Sequence, residues 1–273
     1  NNITSIQATF YKPKKLKGLV NTIWKQKSDQ PLDWQILPSG FVELIFMVGP
    51  SVPDLDGKRV GNGFNPTEYF CFLSGLHTKP LYMSFPRFET IGVQMDPLAV
   101  KAFFGIPCSE LKDWALDGEL LLDEIEMIRD RLKSPGTFIE KALWIEDYLH
   151  TKIDAETRIH MALKMRKTIN RMCDELQKGA KVSAEDYTGY SRAQTHRLFR
   201  EWFGLSSYQC FRLERFIRSM RSLHFMDERL TDIGLQSGYY DQSHFIRSFR
   251  KYSDMTPGQY AENKTEIVGQ LPI

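Results

Sequence analysis

The sequence is poor in cysteine and histidine, and the two scarcities remove whole classes of chemistry. Its four cysteines, Cys71, Cys108, Cys173 and Cys210, are scattered and form no CxxC pair. Neither a disulfide framework nor a thiolate metal site is read from that spacing, and a reduced, cytoplasmic chain is the expectation. Of six histidines, His77 is the only one before His150, so a two- or three-histidine metal centre in the front half is excluded by count. No GxSxG, HExxH or phosphate-loop pattern occurs, so no catalytic residue, metal or cofactor is assigned and an enzyme is not expected. No apolar run approaches the ~20 residues of a spanning helix, and the first residues carry no apolar signal segment, so no membrane association is expected.

Net charge is also scarce, at +2, but it is unevenly distributed. Residues 1–155 hold 17 Lys and Arg against 20 Asp and Glu, a net −3, whereas residues 156–264 hold 19 against 13, a net +6. A polyanionic partner for the second half alone follows. With 273 residues and 42% hydrophobic content the chain is long enough for two domains, each burying a core.

The stretch from Gly238 to Tyr260, GYYDQSHFIRSFRKYSDMTPGQY, organises the basic half. Asp241 is a good N-cap for a helix to about Lys251, and Phe245 and Phe249, four apart, must be its buried face. Ser243, His244, Arg247, Arg250 and Lys251 then face outward, able to donate to base edges or phosphates. Upstream, Thr231 can cap a short helix ending at Gly238, a residue suited to a left-handed turn. Short helix, glycine turn and polar-faced helix make a helix-turn-helix pattern.

The pattern occurs twice. A shift of 50 sets Arg197 on Arg247, Phe199 on Phe249, Arg200 on Arg250, Gln209 on Gln259, and the cap Ser191 on Asp241. Gly189 meets Gly238 only if the second turn carries one extra residue. Two basic helix faces in register weigh far more than one. In the first, Thr195, Leu198, Phe199 and Trp202 form the inward stripe, leaving Ala193, His196, Arg197 and Arg200 outside, with Arg192 at the helix start. Residues 207–225 contain no Pro or Gly and read as a helix joining the units. Along it Arg212, Arg215, Arg218 and Arg221 recur every three residues, some expected to pair with Glu214 or with phosphates. A preceding helix over about 155–176 carries Ile159, Leu163, Ile169, Met172 and Leu176 as its expected core stripe.

On these residues the stretch from about Lys164 to Ala261 resembles the DNA-binding domain of the AraC family of bacterial transcription regulators. The most specific run is Ile233, Gly238, Tyr239, Gln242, Ser243, Phe245, Phe249, Thr256, Pro257 and Tyr260. The resemblance implies an all-α domain with two helix-turn-helix units joined by a long helix. It implies DNA contacts from Arg192, Ala193, His196, Arg197 and Arg200 in the first unit, and from Gln242, Ser243, His244, Arg247, Arg250 and Lys251 in the second. For His196 and His244 a structural or phosphate role stands beside base reading. The chain departs from the family at Glu185 and Gly234, where a small alanine is usual, and at Ser207, Cys210 and Asp254. Ser183 and Asp186 can form a capping box for the first short helix, and Glu185 can reach solvent, pair with a lysine or loosen the packing.

Residues 1 to about 95 read as short strands. A turn at Pro38-Ser39-Gly40 divides Asp33–Val48, and Tyr69–Leu73, Leu81–Phe85 and Phe88–Met95 are three more strands. Val52–Pro66 reads as a mobile loop. Asp96 and Pro97 open a helix that ends at Gly105, and helices follow near Leu120–Leu132 and Thr137–Lys152. The fold class expected here is α+β, a strand-rich barrel or sandwich with helices. Leu37-Pro38-Ser39-Gly40, Glu43-Leu44, Gly92-Val93 and Phe104-Gly105 resemble the N-terminal sensor-type domain of some AraC-like regulators, which implies a cupin-like barrel that binds a small effector and dimerises through helices. Glu43, Tyr82, Arg87 and Gln94 are the candidate effector-binding residues, with solvent-face placement as the alternative for each.

The domains expected are therefore 1–155, regulatory; 156–264, DNA-binding; and 265–273, a C-terminal tail. Double-stranded DNA, a small-molecule effector, RNA polymerase and a second copy of the chain (a homodimer) are the partners this reading carries. Two alternatives stay open: a regulator whose front half only dimerises or binds a protein, and an enzyme fused to a DNA-binding anchor.

Overall fold

The structure is a computed structural model that describes residues 6–49, 70–85, 87–153, 156–179 and 182–272. The loop expected over 52–66 and the first residue of the strand expected at Tyr69–Leu73 lie outside these residues.

Strands β1 (Gln7–Tyr11), β2 (Val20–Ser28), β3 (Leu32–Ile36), β4 (Val42–Met47), β5 (Cys71–Ser74), β6 (Leu81–Phe85) and β7 (Phe88–Met95) precede helix α1 (Pro97–Phe104). The short strand β8 (Ala115–Asp117) then leads to α2 (Ile125–Lys133) and α3 (Phe138–Thr151). A six-stranded antiparallel sheet runs β1-β2-β7-β4-β5-β8. Alternation along β4 assigns its faces: Val42, Leu44 and Phe46 belong to the main core, Glu43, Ile45 and Met47 to the opposite face. That second face is covered by a three-stranded sheet, β6-β3-β9, where β9 (Gln270–Pro272) is the end of the chain returning to pair with β3. The tail is thus built into the front half's second sheet. Trp24 lies opposite Gly92, whose Cβ, if present, would stand 2.1 Å from the indole, so only glycine admits the ring.

The cap expected at Asp96 holds. Asp96 accepts from Leu98 N and Gly105 closes α1 in the left-handed region, while Thr137 and Glu140 form a capping box on α3. The helix expected from Leu120 starts only at Ile125, because residues 118–120 are a single 3-10 turn capped by Asp117. Buried Glu146 ties α3 to the loop after β1 by accepting from Tyr11 Oη at 2.6 Å and Lys14 N at 2.6 Å.

Helix α4 (Glu156–Gln177) lies between the two halves. Its buried stripe is Ala162, Met165, Ile169, Met172 and Cys173; Leu163, expected in the core, is 39% exposed and rests beside Gly18. Arg166 on this helix bridges Asp96 at 2.5 Å and Glu214 at 2.8 Å, with its guanidinium over the Phe203 ring. Glu214 is therefore occupied by Arg166 rather than by any of the four arginines on its own helix. All four cysteines are buried and unpaired, and burial pushes the Cys108 and Cys173 thiols up to about 12.

Candidate nucleic-acid interface

The first unit begins with α5 (Ala184–Thr188), a short helix closed by Gly189 at φ 72°. Ser183 caps it by accepting from Glu185 N, and its hydroxyl donates to the Glu185 carboxylate, so Glu185 and not Asp186 completes the cap. The buried small residue of α5 is the neighbouring Ala184. Helix α6 (Arg192–Phe203) follows, its start fixed by a Ser191–Gln194 capping box and its end by Gly204 at φ 72°. Thr195, Phe199, Trp202 and Phe203 are buried. Inside the turn the Thr188 and Thr195 hydroxyls meet at 2.7 Å.

The joining helix α7 (Ser207–Phe225) has a Ser206–Gln209 capping box. Its arginines take separate surroundings, as three-residue spacing on a 3.6-residue helix requires. Arg215 stacks on Tyr239 at 4.3 Å and donates to Gly238 O, Arg218 pairs with Asp174, Arg221 lies over Phe41, and Arg212 over Tyr208. Two of them are thus structural supports of the second unit's turn and of α4.

In the second unit α8 (Leu230–Gln236) starts after Arg229, without a side-chain cap; Thr231, the expected cap, lies inside the helix. Asp241 does cap α9 (Gln242–Ser253), accepting from His244 N at 2.6 Å. The apolar side of α9 enters an aromatic cluster in which Phe249 stands 5.0 Å from Phe216, 5.8 Å from Phe245 and 5.8 Å from Tyr260. Gly234 makes room for this: a Cβ there would be 3.0 Å from the Phe245 ring. Helix α10 (Pro257–Asn263) closes the unit with a Thr256–Gln259 capping box and Pro257 at its first position.

Arg192, Ala193, His196, Arg197 and Arg200 are exposed on α6, and Gln242, Ser243, Arg247, Arg250 and Lys251 on α9. Among the described residues none of these six cations pairs with a carboxylate. His244 differs from the rest of its face: it is half-buried, edge-on to Tyr239, and its Nδ1 lies 3.4 Å from Tyr240 N as acceptor. Burial first, and nearby Arg215 next, lower its pKa, and the ring packs against the turn.

The four candidate effector residues do not converge. Gln94 donates to Glu43 at 3.0 Å and accepts from Asn21, and both Glu43 and Gln94 line a groove of about 640 Å³ between the six-stranded sheet, Met220, Arg221 and Phe225 of α7, and the segment 266–270. Glu43 also reaches a deeper cavity of about 60 Å³ walled by Trp34, Phe72, Met83 and the tail residue Gln270. Among the described residues the Trp34 Nε1 there is buried without a hydrogen-bond partner. Burial raises the Glu43 carboxyl above the usual range. Tyr82 instead donates to Asp254 at 3.0 Å in the seam with α9, and Arg87 is exposed at a turn. Sequence reasoning missed Trp34; an indole on a strand of alternating burial was the available signal.

Two repeated, capped helix-turn-helix units on a common helix define a DNA-binding class of protein. A family model described as "Helix-turn-helix domain" matches residues 185–263, and one described as "Domain of unknown function (DUF6597)" matches residues 9–117. The C-terminal part of the chain thus carries a helix-turn-helix domain of the AraC type. Over 78 residues it is 32% identical to a probable transcription factor, PqrA, of Proteus vulgaris, covering 29% of this chain and 64% of that one. Over 104 residues it is 29% identical to an uncharacterized HTH-type transcriptional regulator of Staphylococcus aureus (strain COL), covering 36% of this chain and 14% of that protein. The chain thus spans less than two thirds of either relative. The solved structure of ToxT from Vibrio cholerae aligns over 94% of this chain and 98% of its own, at 9% identity and a TM-score of 0.42.

Proposed function

We propose that this chain is a sequence-specific, non-enzymatic transcription regulator in which α6 and α9 read duplex DNA and residues 1–155 receive a small-molecule signal. The observation that carries it is the pair of recognition helices, each presenting exposed, acid-free arginines at matching positions, Arg197 with Arg247 and Arg200 with Arg250. Arg197 and Arg247 are assigned to base edges, where a bidentate arginine discriminates by about 1–3 kcal/mol. Arg192, Arg200, Arg250 and Lys251 are assigned to phosphates, and Ala193, His196, Gln242 and Ser243 complete the contact surface. Duplex titration of the full chain tests this: binding that weakens steeply with salt is expected, and absence of duplex binding at low salt overturns it.

For the effector, the groove lined by Glu43 and Gln94, together with the adjoining cavity where Trp34 Nε1 has no hydrogen-bond partner among the described residues, supports a small, mainly apolar ligand carrying a hydrogen-bond acceptor. Thermal-shift screening of the full chain against metabolites should give stabilisation by one chemical class. Dimerisation is the second reading for this half, supported by Ile139 and Leu143, exposed one turn apart on α3. Sedimentation of wild type against Ile139→Lys/Leu143→Lys distinguishes it, a dimer that the double variant dissolves being the expected sign.

A further inference from the structure

Between the two recognition helices lies an open groove of about 930 Å³ whose walls do not all come from the DNA-binding half. His196 and Arg200 from α6, Arg212 from α7 and Lys251 from α9 share it with Lys79 and Lys112 of the front half. One carboxylate, Asp254, lines it, and that group accepts the Tyr82 hydroxyl. Neither Lys79 nor Lys112 pairs with a carboxylate among the described residues. A net −3 half that places two unpaired lysines beside the recognition helices has its cations where its overall charge would not put them.

The placement is fixed by specific contacts. Loops 76–80 and 111–113 are clamped together because the Asp113 carboxylate accepts from Thr78 N at 2.6 Å and Thr78 Oγ1 at 2.8 Å, while Asp113 N donates to Leu76 O. Asp113 holds φ 54°, a left-handed conformation that a non-glycine residue keeps only where contacts enforce it. The paired loops are in turn locked to the first recognition helix. Gly204, which ends α6, packs so closely on Cys108 that a Cβ would be 2.6 Å from its carbonyl oxygen, and Lys101 pairs with Glu201. Lys79 and Lys112 therefore stand in fixed register with His196 and Arg200.

We infer that the clamped loops 76–80 and 111–113 are a third DNA-contacting element, through which Lys79 and Lys112 seat the phosphodiester backbone running between the two recognition helices. The inference rests on the DNA-binding reading above. An open groove between helices that enter neighbouring major-groove segments follows the path of a strand, and its charge matches a phosphate run. Because the lysines belong to the front half, the docking of that half becomes part of DNA affinity.

The test is a titration of the full chain against a mixed-sequence duplex of about 30 base pairs, long enough for two units a helical turn apart, over about 50–200 mM salt. Three proteins are compared: wild type, Lys79→Gln/Lys112→Gln, and Lys14→Gln/Lys17→Gln, which removes the same charge from exposed positions elsewhere on the front half. The groove variant should bind more weakly with a log–log salt slope shallower by about 1 to 2, at about 0.9 per phosphate contact, while the control keeps the wild-type slope. A groove variant with the wild-type slope, or a control that shifts as far, overturns the inference while leaving the DNA-binding reading intact. A wild-type chain that does not bind overturns both.

Discussion

The two helix-turn-helix units present the same outward face and are held up in opposite ways. The second supports itself: Phe245, Phe249, Tyr252 and Tyr260 pack with Phe216 and Tyr239, and Gly234 lets Phe245 close on α8. At the position of Phe245 the first unit has Thr195, whose hydroxyl pairs with Thr188. It leans on the front half instead, through Gly204 on Cys108 and Lys101 on Glu201 and Trp202, with Phe203 beneath Arg166 of α4. A repeated external pattern thus reports what the surface must touch and says little about how the inside is filled. It also means that whatever alters the front half should reach the first unit before the second.

The largest expected effect comes from removing the second unit's own support. Phe245→Ala opens a cavity in a fully buried aromatic cluster and should cost about 3–5 kcal/mol, whereas Thr195→Ala, at the matching position, loses a hydroxyl pair and should cost about 1–2 kcal/mol. Denaturant unfolding of both variants compares them directly, and equal costs would dissolve the contrast.

Acid should loosen the brace on the first unit. His77, within the clamped loop 76–80, is 2.8 Å from Ser74 Oγ, and burial lowers its pKa to about 4. A depressed folded-state value means that the unfolded chain takes up the proton first. The stabilisation is complete above the unfolded pKa of about 6.5 and is lost as pH falls from there through about 4, a span of about 3 kcal/mol. His77→Gln should flatten that part of the stability–pH curve; an unchanged slope between those values would remove the histidine from the account.

The smallest effects separate the two helix ends. Gly204→Ala puts a Cβ against a carbonyl at a left-handed position and should destabilise by about 1–2 kcal/mol or more, first in the contact between front half and α6. At the second unit's matching place Asp254 already holds φ 57°. Asp254→Gly should therefore relieve strain, gaining up to about 1 kcal/mol while giving up the Tyr82 hydrogen bond. Thermal melts with hydrogen exchange on α6 and α9 would read both.

What the sequence disclosed follows the range of the interactions. The apolar stripe of α9, the caps at Asp96, Ser191 and Asp241, and the strands Leu81–Phe85 and Phe88–Met95 depend on residues within a turn or on local patterning, and they were legible. Features set by distant partners were not. A three-residue strand at the end of the chain carries no periodicity, so its pairing with β3 was invisible, as was the Tyr82–Asp254 contact across the seam. Spacing gave Arg212, Arg215, Arg218 and Arg221 no common role because each answers to a different neighbouring element. Helical phase put His244 outward, but the ring turns back on Tyr239 and Tyr240. Leu163 belonged to the apolar spacing of α4 and faces only a partial cover beside Gly18.

The central claim, that both units read one duplex, is tested most directly by footprinting the full chain on a duplex selected from a random pool. Wild type should protect two patches about one helical turn, roughly 10 base pairs, apart. Arg197→Ala should weaken protection of one patch and Arg247→Ala the other, with the larger loss of sequence discrimination at Arg247, where the recognition helix rests on the aromatic cluster. A single short patch, weakened by only one of the two substitutions, would contradict the claim.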